Sequence, residues 1–186
     1  MSQWDKKYRI MKRYDLTAHI YDMQYTEEQA AKIEAALKSV NMERYRLVLD
    51  AGCGTGLLFS YVADNAETTV GIDISRKILL QAKKRAENFP NVLLILADAD
   101  HMPLKENVFS HVFAITLIQN TPNPVKTLNE IKRVAREDAM IVVTGLKKTF
   151  TLEELEKLLQ ETALKIIALQ DEGLQCYVAV CTKLSH

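Results

Sequence analysis

Apolar and polar positions follow one another along this chain in blocks that predict a regular succession of strands and helices. Short apolar runs predict strands at 46–50, 68–72, 91–97, 108–117 and 139–145. Helical spacing and end signals predict helices at 57–65, 76–88, 124–135 and 151–162. Because strands alternate with helices, we predict an α/β fold with a doubly wound, mostly parallel sheet.

Both ends of the chain depart from this alternation. Near the C-terminus, the predicted strands 165–170 and 175–182 are separated by only four residues, which is too short for a crossover helix. They must therefore pair as an antiparallel β-hairpin. The first 40 residues show only helical patterns. We interpret 1–186 as a single domain, with an N-terminal helical cap over 1–40 and a Rossmann-like core over 41–186.

Composition and charge narrow the class of protein. The 24 basic and 24 acidic residues cancel, so no overall field attracts nucleic acid. Three cysteines without pairing partners favour a reducing, cytoplasmic location, and the cysteines and histidines lack metal-ligand spacing, so no metal is expected. No apolar stretch has the length of a transmembrane helix, and the N-terminus lacks a signal-peptide pattern. We therefore expect no membrane association.

A glycine-rich turn after the first strand carries the strongest chemical signal. Asp50 precedes glycines at 52, 54 and 56. Leu57 stands where a dinucleotide fingerprint needs its third glycine, and no lysine follows Gly56, so a phosphate loop is excluded. Glycines let a ligand approach the backbone closely, and Asp50 can accept hydrogen bonds from an ammonium group. The alternative is a tight turn that needs glycine for geometry alone.

The sequence V-L-D-A-G-C-G-T-G over 48–56 resembles motif I of the class I S-adenosylmethionine-dependent methyltransferases. The similarity extends along 46–145, through G-I-D-I-S at 71–75 and the segment that begins with Asp98 and Ala99. Ser110 replaces the aspartate common in the family, and 136–138 replaces its Pro-Gly-Gly. The resemblance implies S-adenosyl-L-methionine as the cofactor.

The resemblance also implies roles for individual residues. Asp73 would bind the ribose hydroxyls, and Asp98 with Ala99 would meet the adenine. Cys53 is interpreted as a small filler and not as a nucleophile. The tyrosines at 14, 21 and 25 resemble a family element that folds over the cofactor, although ordinary helix packing would explain them as well. The complete expected cofactor set is Tyr14, Tyr21, Asp50, Gly52, Cys53, Gly54, Asp73, Ile74, Asp98, Ala99 and Thr116.

Signals for the methyl acceptor are weaker. Gln119 and Asn120, at the end of the fourth strand, are the catalytic candidates, with turn closure as the alternative. Only 146–150 separates the fifth strand from the next helix, so the site lacks a lid there and suits a macromolecule. Basic residues near the predicted site could contact RNA phosphates, with aromatic residues between them. These basic residues are Lys6, Lys7, Arg9, Lys12 and Arg13.

We therefore predict methyl transfer to a nitrogen or oxygen of a macromolecule, with tRNA or rRNA ahead of a translation-related protein. A small-molecule methyltransferase is the alternative, and an inactive cofactor-binding module is a remote one. The strand 91–97 should be covered on both faces, because it is uniformly apolar. It should also lie at a sheet edge without a charge, proline or glycine to guard it. This predicts β-augmentation by a second copy or by a small zinc-binding activator subunit.

Overall fold

A seven-stranded sheet forms the centre of the computed structural model, which describes residues 2–18, 20–41 and 45–184, without the side chains of Tyr21, Gln24 and Tyr45. The strands are β1 (Tyr45–Ala51), β2 (Ala66–Asp73), β3 (Val92–Leu96), β4 (Phe109–Ala114), β5 (Ala135–Leu146), β6 (Leu164–Gln170) and β7 (Cys176–Lys183). Their order across the sheet is β3-β2-β1-β4-β5-β7-β6. Strands β1 to β5 pair in parallel, whereas β7 is antiparallel to both β5 and β6. The predicted doubly wound sheet with a C-terminal hairpin is confirmed.

Helices cover the sheet and are bounded by ordinary end signals. They are α1 (Gln3–Thr17), α2 (Tyr21–Leu37), α3 (Phe59–Val62), α4 (Arg76–Ala86), α5 (Pro124–Val134) and α6 (Leu152–Glu161). Ser75 and Asn123 cap α4 and α5 by accepting backbone N–H groups. Thr151 and Glu154 form the predicted capping box of α6. Among the described residues, no helix is long and apolar enough to cross a membrane.

Two predicted helix boundaries are wrong. The helix expected over 57–65 shrinks to α3 and a 3₁₀ turn at Ala63–Asn65, because the glycine turn continues through Gly56, whose φ is +78°. At the other boundary, Ala135 leaves α5 and begins β5 four residues earlier than expected, because it pairs with Phe109 of β4. In both places a tertiary contact or a turn overrides the local helical pattern.

Strand β3 lies at the sheet edge, as predicted, but each of its faces is covered only in part. Val92 and Leu94 pack with Leu79 and Ala82 of α4. Leu93 points to the opposite face, because side chains alternate along a strand. Leu93 and Leu96 remain 56% exposed. Ile95, on the same face as Leu93, packs against the hydrophobic core. The uniform apolarity of this strand therefore reflects partial burial on both faces, with two positions left exposed.

The hydrophobic core lies on both faces of the sheet and orients the strand ends. On one face, Leu128 and Ile131 of α5 pack with Leu155 of α6. On the other face, Ile33 of α2 packs with Val62 of α3. The parallel strands β1, β2, β3 and β4 end at the same edge, which is the usual position of a ligand crevice in open α/β sheets.

Candidate active site

The turn after β1 needs glycine for packing at two of its three positions. Gly52, Gly54 and Gly56 all have positive φ, at +74°, +55° and +78°. A Cβ on Gly52 would lie 2.8 Å from Leu117 Cδ1, and one on Gly56 would overlap the Phe59 ring. A Cβ on Gly54 would meet no atom within 4 Å. The turn is therefore packed on the protein side at Gly52 and Gly56, and open at Gly54.

Asp50, at the end of β1, is a buried carboxylate without a counter-charge. Its side-chain Oδ2 has no hydrogen-bond partner among the described residues. Burial, together with the charge of Asp73, raises the pKa of Asp50 to about 8. An ammonium or sulfonium group in the adjoining cavity would supply the missing charge. The residue therefore fits a cationic ligand such as the methionine moiety of S-adenosylmethionine.

Asp73, at the end of β2, is fixed between two backbone segments. Its Oδ2 accepts the N–H of Gly54 at 3.0 Å, and its Oδ1 accepts the N–H of Ser75 at 2.8 Å. Burial raises the pKa of Asp73, although the backbone N–H groups oppose that shift. Each carboxylate oxygen can accept a second hydrogen bond. Asp73 is thus held in a fixed orientation with the capacity to accept ribose hydroxyls.

Asp98, in the loop after β3, is bound by a lysine from α1. The Lys7 Nζ lies 2.5 Å from Oδ2 of Asp98 and 2.5 Å from Oδ2 of Asp100. Burial raises the pKa of Asp98, but the hydrogen bond and charge of Lys7 outweigh it, so the pKa is lowered. Lys7 itself is only 8% exposed. The expectation that Lys7 contacts RNA phosphate is wrong, because two carboxylates already bind this ammonium.

Asp73, Asp98 and the glycine turn line a donor cavity of about 90 Å³. The expected residues that line it are Tyr14, Gly52, Gly54, Asp73, Ile74, Asp98, Ala99 and Thr116. Asp50 and Cys53 line a smaller neighbouring cavity of about 40 Å³. The side chain of Tyr21 lies outside the part of the chain that the structure describes. Lys7 and Ile10 also line the donor cavity, although the sequence did not identify them as residues of the cofactor site.

Cys53 is buried beside the two acids, and its chemistry follows from that position. Burial and then the negative charges of Asp50 and Asp73 raise the pKa of the thiol well above its ordinary value. The thiol therefore stays protonated and is a poor nucleophile. Cys176 and Cys181 are also buried and unpaired. No group of acids, cysteines and histidines within the described ranges could hold a metal ion.

Helix α1 crosses the donor cavity and touches each of three loops around it. Lys7 binds the loop after β3 through Asp98. Arg13 donates from Nη2 to Asn120 Oδ1, after β4, at 3.1 Å. Asp15 accepts a hydrogen bond from Ser75 Oγ, after β2, at 2.6 Å. The helix is therefore attached to the site mainly by polar contacts, one for each loop.

Thr116, after β4, stands where the donor cavity meets a second cavity. Its φ of +58° is unusual for a β-branched residue and marks backbone strain at the site. Its N–H donates to Thr144 Oγ1 at 2.7 Å, and its carbonyl accepts from Asn120 Nδ2 at 2.8 Å. Its hydroxyl donates to Gln29 Oε1 at 3.0 Å and accepts from Lys32 Nζ at 3.1 Å. Four hydrogen bonds thus hold the strained residue in place.

The second cavity, here called the acceptor cavity, has a volume of about 540 Å³ and mostly polar walls. Both amide atoms of Gln119 are buried without hydrogen-bond partners among the described residues. Asn120 is different, because its amide already binds Thr116 and Arg13. Of the two catalytic candidates, Gln119 therefore retains capacity to bind a ligand, whereas Asn120 closes the turn and attaches α1.

An ion pair in α2 between a buried lysine and a partly exposed glutamate lies beside the acceptor cavity and was not found from the sequence. Lys32 is 1% exposed, and its Nζ lies 2.5 Å from Oε1 of Glu28. An (i, i+4) pair of opposite charges is typical of a solvated helix face. The available signal was the position of Lys32 directly between Ala31 and Ile33, in an apolar stretch.

Comparison with known proteins supports S-adenosylmethionine as the cofactor. The family described as "Methyltransferase domain" matches residues 49–143. A malonyl-[acyl-carrier protein] O-methyltransferase of Marinomonas sp. is 27% identical over 144 residues, covering 76% of this chain and 53% of that protein. A demethylmenaquinone methyltransferase of Staphylococcus saprophyticus is 26% identical over 136 residues, covering 72% and 57%. The chain spans about half the length of the curated relatives it matches.

Solved structures share the fold at low identity. A Burkholderia thailandensis 1,6-didemethyltoxoflavin-N1-methyltransferase, solved with S-adenosylhomocysteine, has a TM-score of 0.82 at 16% identity, covering 100% of this chain and 92% of that chain. A chain from the complex of the Haloferax volcanii Trm112 methyltransferase activator with its methyltransferase partner has a TM-score of 0.80 at 14% identity, covering 92% and 98%.

The fold and the donor cavity together define a class I S-adenosylmethionine-dependent methyltransferase. The seven-stranded order, the open glycine turn and the acids after β1, β2 and β3 all belong to that class. The match over 49–143 covers half of the chain, so the protein belongs to the methyltransferase-domain family.

Proposed function

We propose that this protein transfers the methyl group of S-adenosylmethionine to a nitrogen or oxygen of a macromolecule. The preferred acceptor is tRNA or rRNA, and a translation-related protein comes second. The outer face of α1 carries this proposal. Trp4 and Tyr8 are 63% and 47% exposed, and Lys6, Arg9 and Lys12 are exposed among them. Exposed aromatic rings stack on unpaired bases, and basic side chains neutralise phosphates. The same helix leads to Arg13 at the acceptor cavity.

The chemistry needs little from the protein beyond position. When bound, S-adenosylmethionine supplies a methyl group that its sulfonium already activates. Asp50 would offset the positive charge, and Asp73 would hold the ribose. Proximity of this kind is worth about 7 kcal/mol or more. A covalent nucleophile is unnecessary, and a general base is optional for an amine acceptor.

A small-molecule acceptor is the second candidate function. The acceptor cavity of about 540 Å³ has the size of a metabolite site. Two relatives are named for malonyl-[acyl-carrier protein] and demethylmenaquinone. An inactive cofactor-binding module is less well supported, because Asp50 and Asp73 still line or adjoin the cavities.

A partner protein at β3 is part of the proposal. The exposed Leu93 and Leu96 lie on an edge strand that carries no charge. A second copy or a small zinc-binding activator subunit would add a strand there, and one structural neighbour comes from a complex with an activator. A stable, active monomer by light scattering at micromolar concentration would remove this idea.

The three free cysteines suit the cytoplasm, where we propose the protein acts.

The experiment for the proposed acceptor separates RNA, protein and metabolites after incubation with methyl-labelled cofactor. We expect label in RNA, and less of it in the double variant Lys6→Ala/Arg9→Ala. The matched control is Lys83→Ala/Lys84→Ala, which removes two exposed basic residues from α4. Label confined to the metabolite fraction would establish the second candidate instead. Equal losses in both double variants would show a general charge effect.

A further inference from the structure

Gln119 lines the acceptor cavity, and its side-chain amide is unpaired. Both Nε2 and Oε1 are buried and lack hydrogen-bond partners within the described part of the chain. A buried polar group without a partner is costly, so native proteins rarely keep one unless a ligand or water binds it. A carboxamide offers a donor and an acceptor side by side. The complementary ligand is therefore a planar edge that carries an acceptor next to a donor.

Glu28 brings a fixed carboxylate to the same cavity. Its side chain is 41% exposed, and its Oε1 lies 2.5 Å from the buried Lys32 Nζ. The ion pair uses Oε1, so Oε2 remains to accept a hydrogen bond from a ligand N–H. A buried ion pair adds little net stability. Lys32 also donates to Thr116, so one ammonium fixes Glu28 and the residue between the two cavities.

The remaining walls of the cavity offer a mainly apolar ligand little aliphatic surface. Leu146 is its one aliphatic lining residue among those described. Tyr14 and Tyr25 add aromatic rings. A prenylated quinone or an acyl chain would leave the amide of Gln119 unpaired. A nucleobase would pair with this amide, because glutamine binds adjacent donor and acceptor atoms of a base. Glutamate can accept a hydrogen bond from an exocyclic amino group of the same base.

We propose that Gln119 and Glu28 recognise the hydrogen-bonding edge of a nucleobase in the acceptor cavity, with Lys32 as the positioning residue. This inference rests on the proposed methylation of RNA and narrows the target to a base. Recognition by two side chains that bind the same ring would select the base by its pattern of donors and acceptors. Ribose and phosphate would then contribute affinity without selectivity.

The test uses protein saturated with S-adenosylhomocysteine, so that the donor cavity is filled. Each of the four nucleoside 5′-monophosphates is titrated in, with ribose 5-phosphate as the probe without a base. Nitrogen-15 NMR follows the side-chain amide of Gln119. We expect at least one nucleotide to bind saturably and shift this signal, whereas ribose 5-phosphate leaves it unchanged. Absence of binding by all four nucleotides, or equal binding by ribose 5-phosphate, overturns the proposal.

Variants separate recognition from folding. Gln119→Ala and Glu28→Gln should each weaken nucleotide binding about tenfold or more, with S-adenosylhomocysteine affinity unchanged. Lys32→Met should do the same, and Lys32→Arg should recover part of the loss because it keeps the cation. Gln160→Ala, an exposed glutamine on α6, is the control. If Lys32→Met does not fold, the effect of Glu28→Gln on nucleotide binding tests the role of the ion pair instead. Unchanged binding in both Gln119→Ala and Glu28→Gln contradicts the proposal.

Failure of this inference can be distinguished from failure of the proposed function. Labelled RNA with methyl groups on ribose would leave the proposed function intact and overturn base recognition. Selective nucleotide binding with label only in protein would overturn the proposed function and leave a base-binding cavity.

Discussion

The donor and acceptor cavities meet at Thr116, but they are built in different ways. The donor cavity is lined mainly by the glycine turn after β1 and by acids at or just after the ends of β2 and β3, with Asp50 of β1 in the smaller cavity beside it. The acceptor cavity consists of side chains from α1, α2, the loop after β4, the residues after β5 and Gln175 beside β7. The residues that line a cavity made from strand ends occur in short, contiguous sequence motifs. A cavity made from distant side chains depends on how the elements dock.

The first prediction tests the backbone turn of the donor cavity. Gly56→Ala should lower the free energy of unfolding by roughly 2–4 kcal/mol, because left-handed strain adds to overlap with the Phe59 ring. Urea denaturation measures the loss. Gly173→Ala is the control, since its φ is +71° but nothing lies within 4 Å of the added Cβ. Equal losses at both positions would mean that the Phe59 ring moves aside and that the positive φ alone accounts for the loss in free energy of unfolding.

The second prediction tests the attachment of α1 over the donor cavity. Lys7→Met leaves the carboxylates of Asp98 and Asp100 without their cation. We expect a loss of about 2 kcal/mol, less than for a fully buried pair because the helix can detach. Binding of S-adenosylhomocysteine, measured by calorimetry, should weaken about tenfold. Lys6→Met, at the exposed neighbouring position, should change neither value. Normal binding in Lys7→Met would show that the donor cavity works without α1.

The third prediction concerns the pH dependence of cofactor binding. A cationic ligand prefers ionised Asp50, whose pKa without ligand is about 8. Affinity for S-adenosylmethionine should therefore rise up to about tenfold between about pH 6 and 7, where the ligand ammonium stays protonated. Calorimetry at several pH values measures this. Methylthioadenosine, which lacks the amino-acid moiety, should bind with little pH dependence, and a similar slope for both ligands would contradict the role of Asp50.

Asp50 also sets the sign of the stability change with pH. Its folded-state pKa is raised from 3.8 to about 8, so the folded protein holds the proton more tightly than the unfolded chain does. This contribution is fully present below the unfolded-state pKa and is lost as the pH rises through the folded-state value. The cofactor-free protein should therefore lose stability from this group between those two pKa values, and saturating cofactor should reverse part of the loss.

The smallest predicted effect belongs to the acceptor cavity. Arg13→Ala removes one exposed hydrogen bond to Asn120 and one positive charge. We expect methyl transfer to RNA to fall about two- to fivefold, with S-adenosylhomocysteine affinity unchanged. Arg76→Ala, on the exposed start of α4, is the control. A larger loss of cofactor binding than of transfer would show that Arg13 serves the donor cavity instead.

The sequence predicted the sheet, its terminal hairpin and the cofactor class because these depend on local spacing. Alternating apolar runs give the strands, and the five residues between β6 and β7 leave room for a hairpin only. Motif I could be read because Asp50 and the glycines are adjacent in the chain. The edge position of β3 follows from the fold class, and that prediction is confirmed.

Side-chain roles that depend on docking could not be predicted. Lys7 belongs to a basic run, and only the orientation of α1 on Asp98 shows that it is buried while Lys6 is exposed. Lys32 and Glu28 have the spacing of a surface ion pair, and the burial of Lys32 appears only when α2 meets the strand ends. The apolarity of β3 gave the wrong prediction for Leu93 and Leu96, because uniform apolarity does not show which positions of an edge strand other elements cover.

The three polar attachments of α1 bear on the order of events in a catalytic cycle. Three residues of α1 hold it to loops beside the donor cavity, whereas Arg13 alone makes such a contact beside the acceptor cavity, so we expect these contacts to slow the passage of a donor molecule. Exchange of the spent donor should then be slower than departure of the methylated product. The expected steady-state scheme is ordered, with the donor first to arrive and S-adenosylhomocysteine last to leave, as a competitive inhibitor against the donor only.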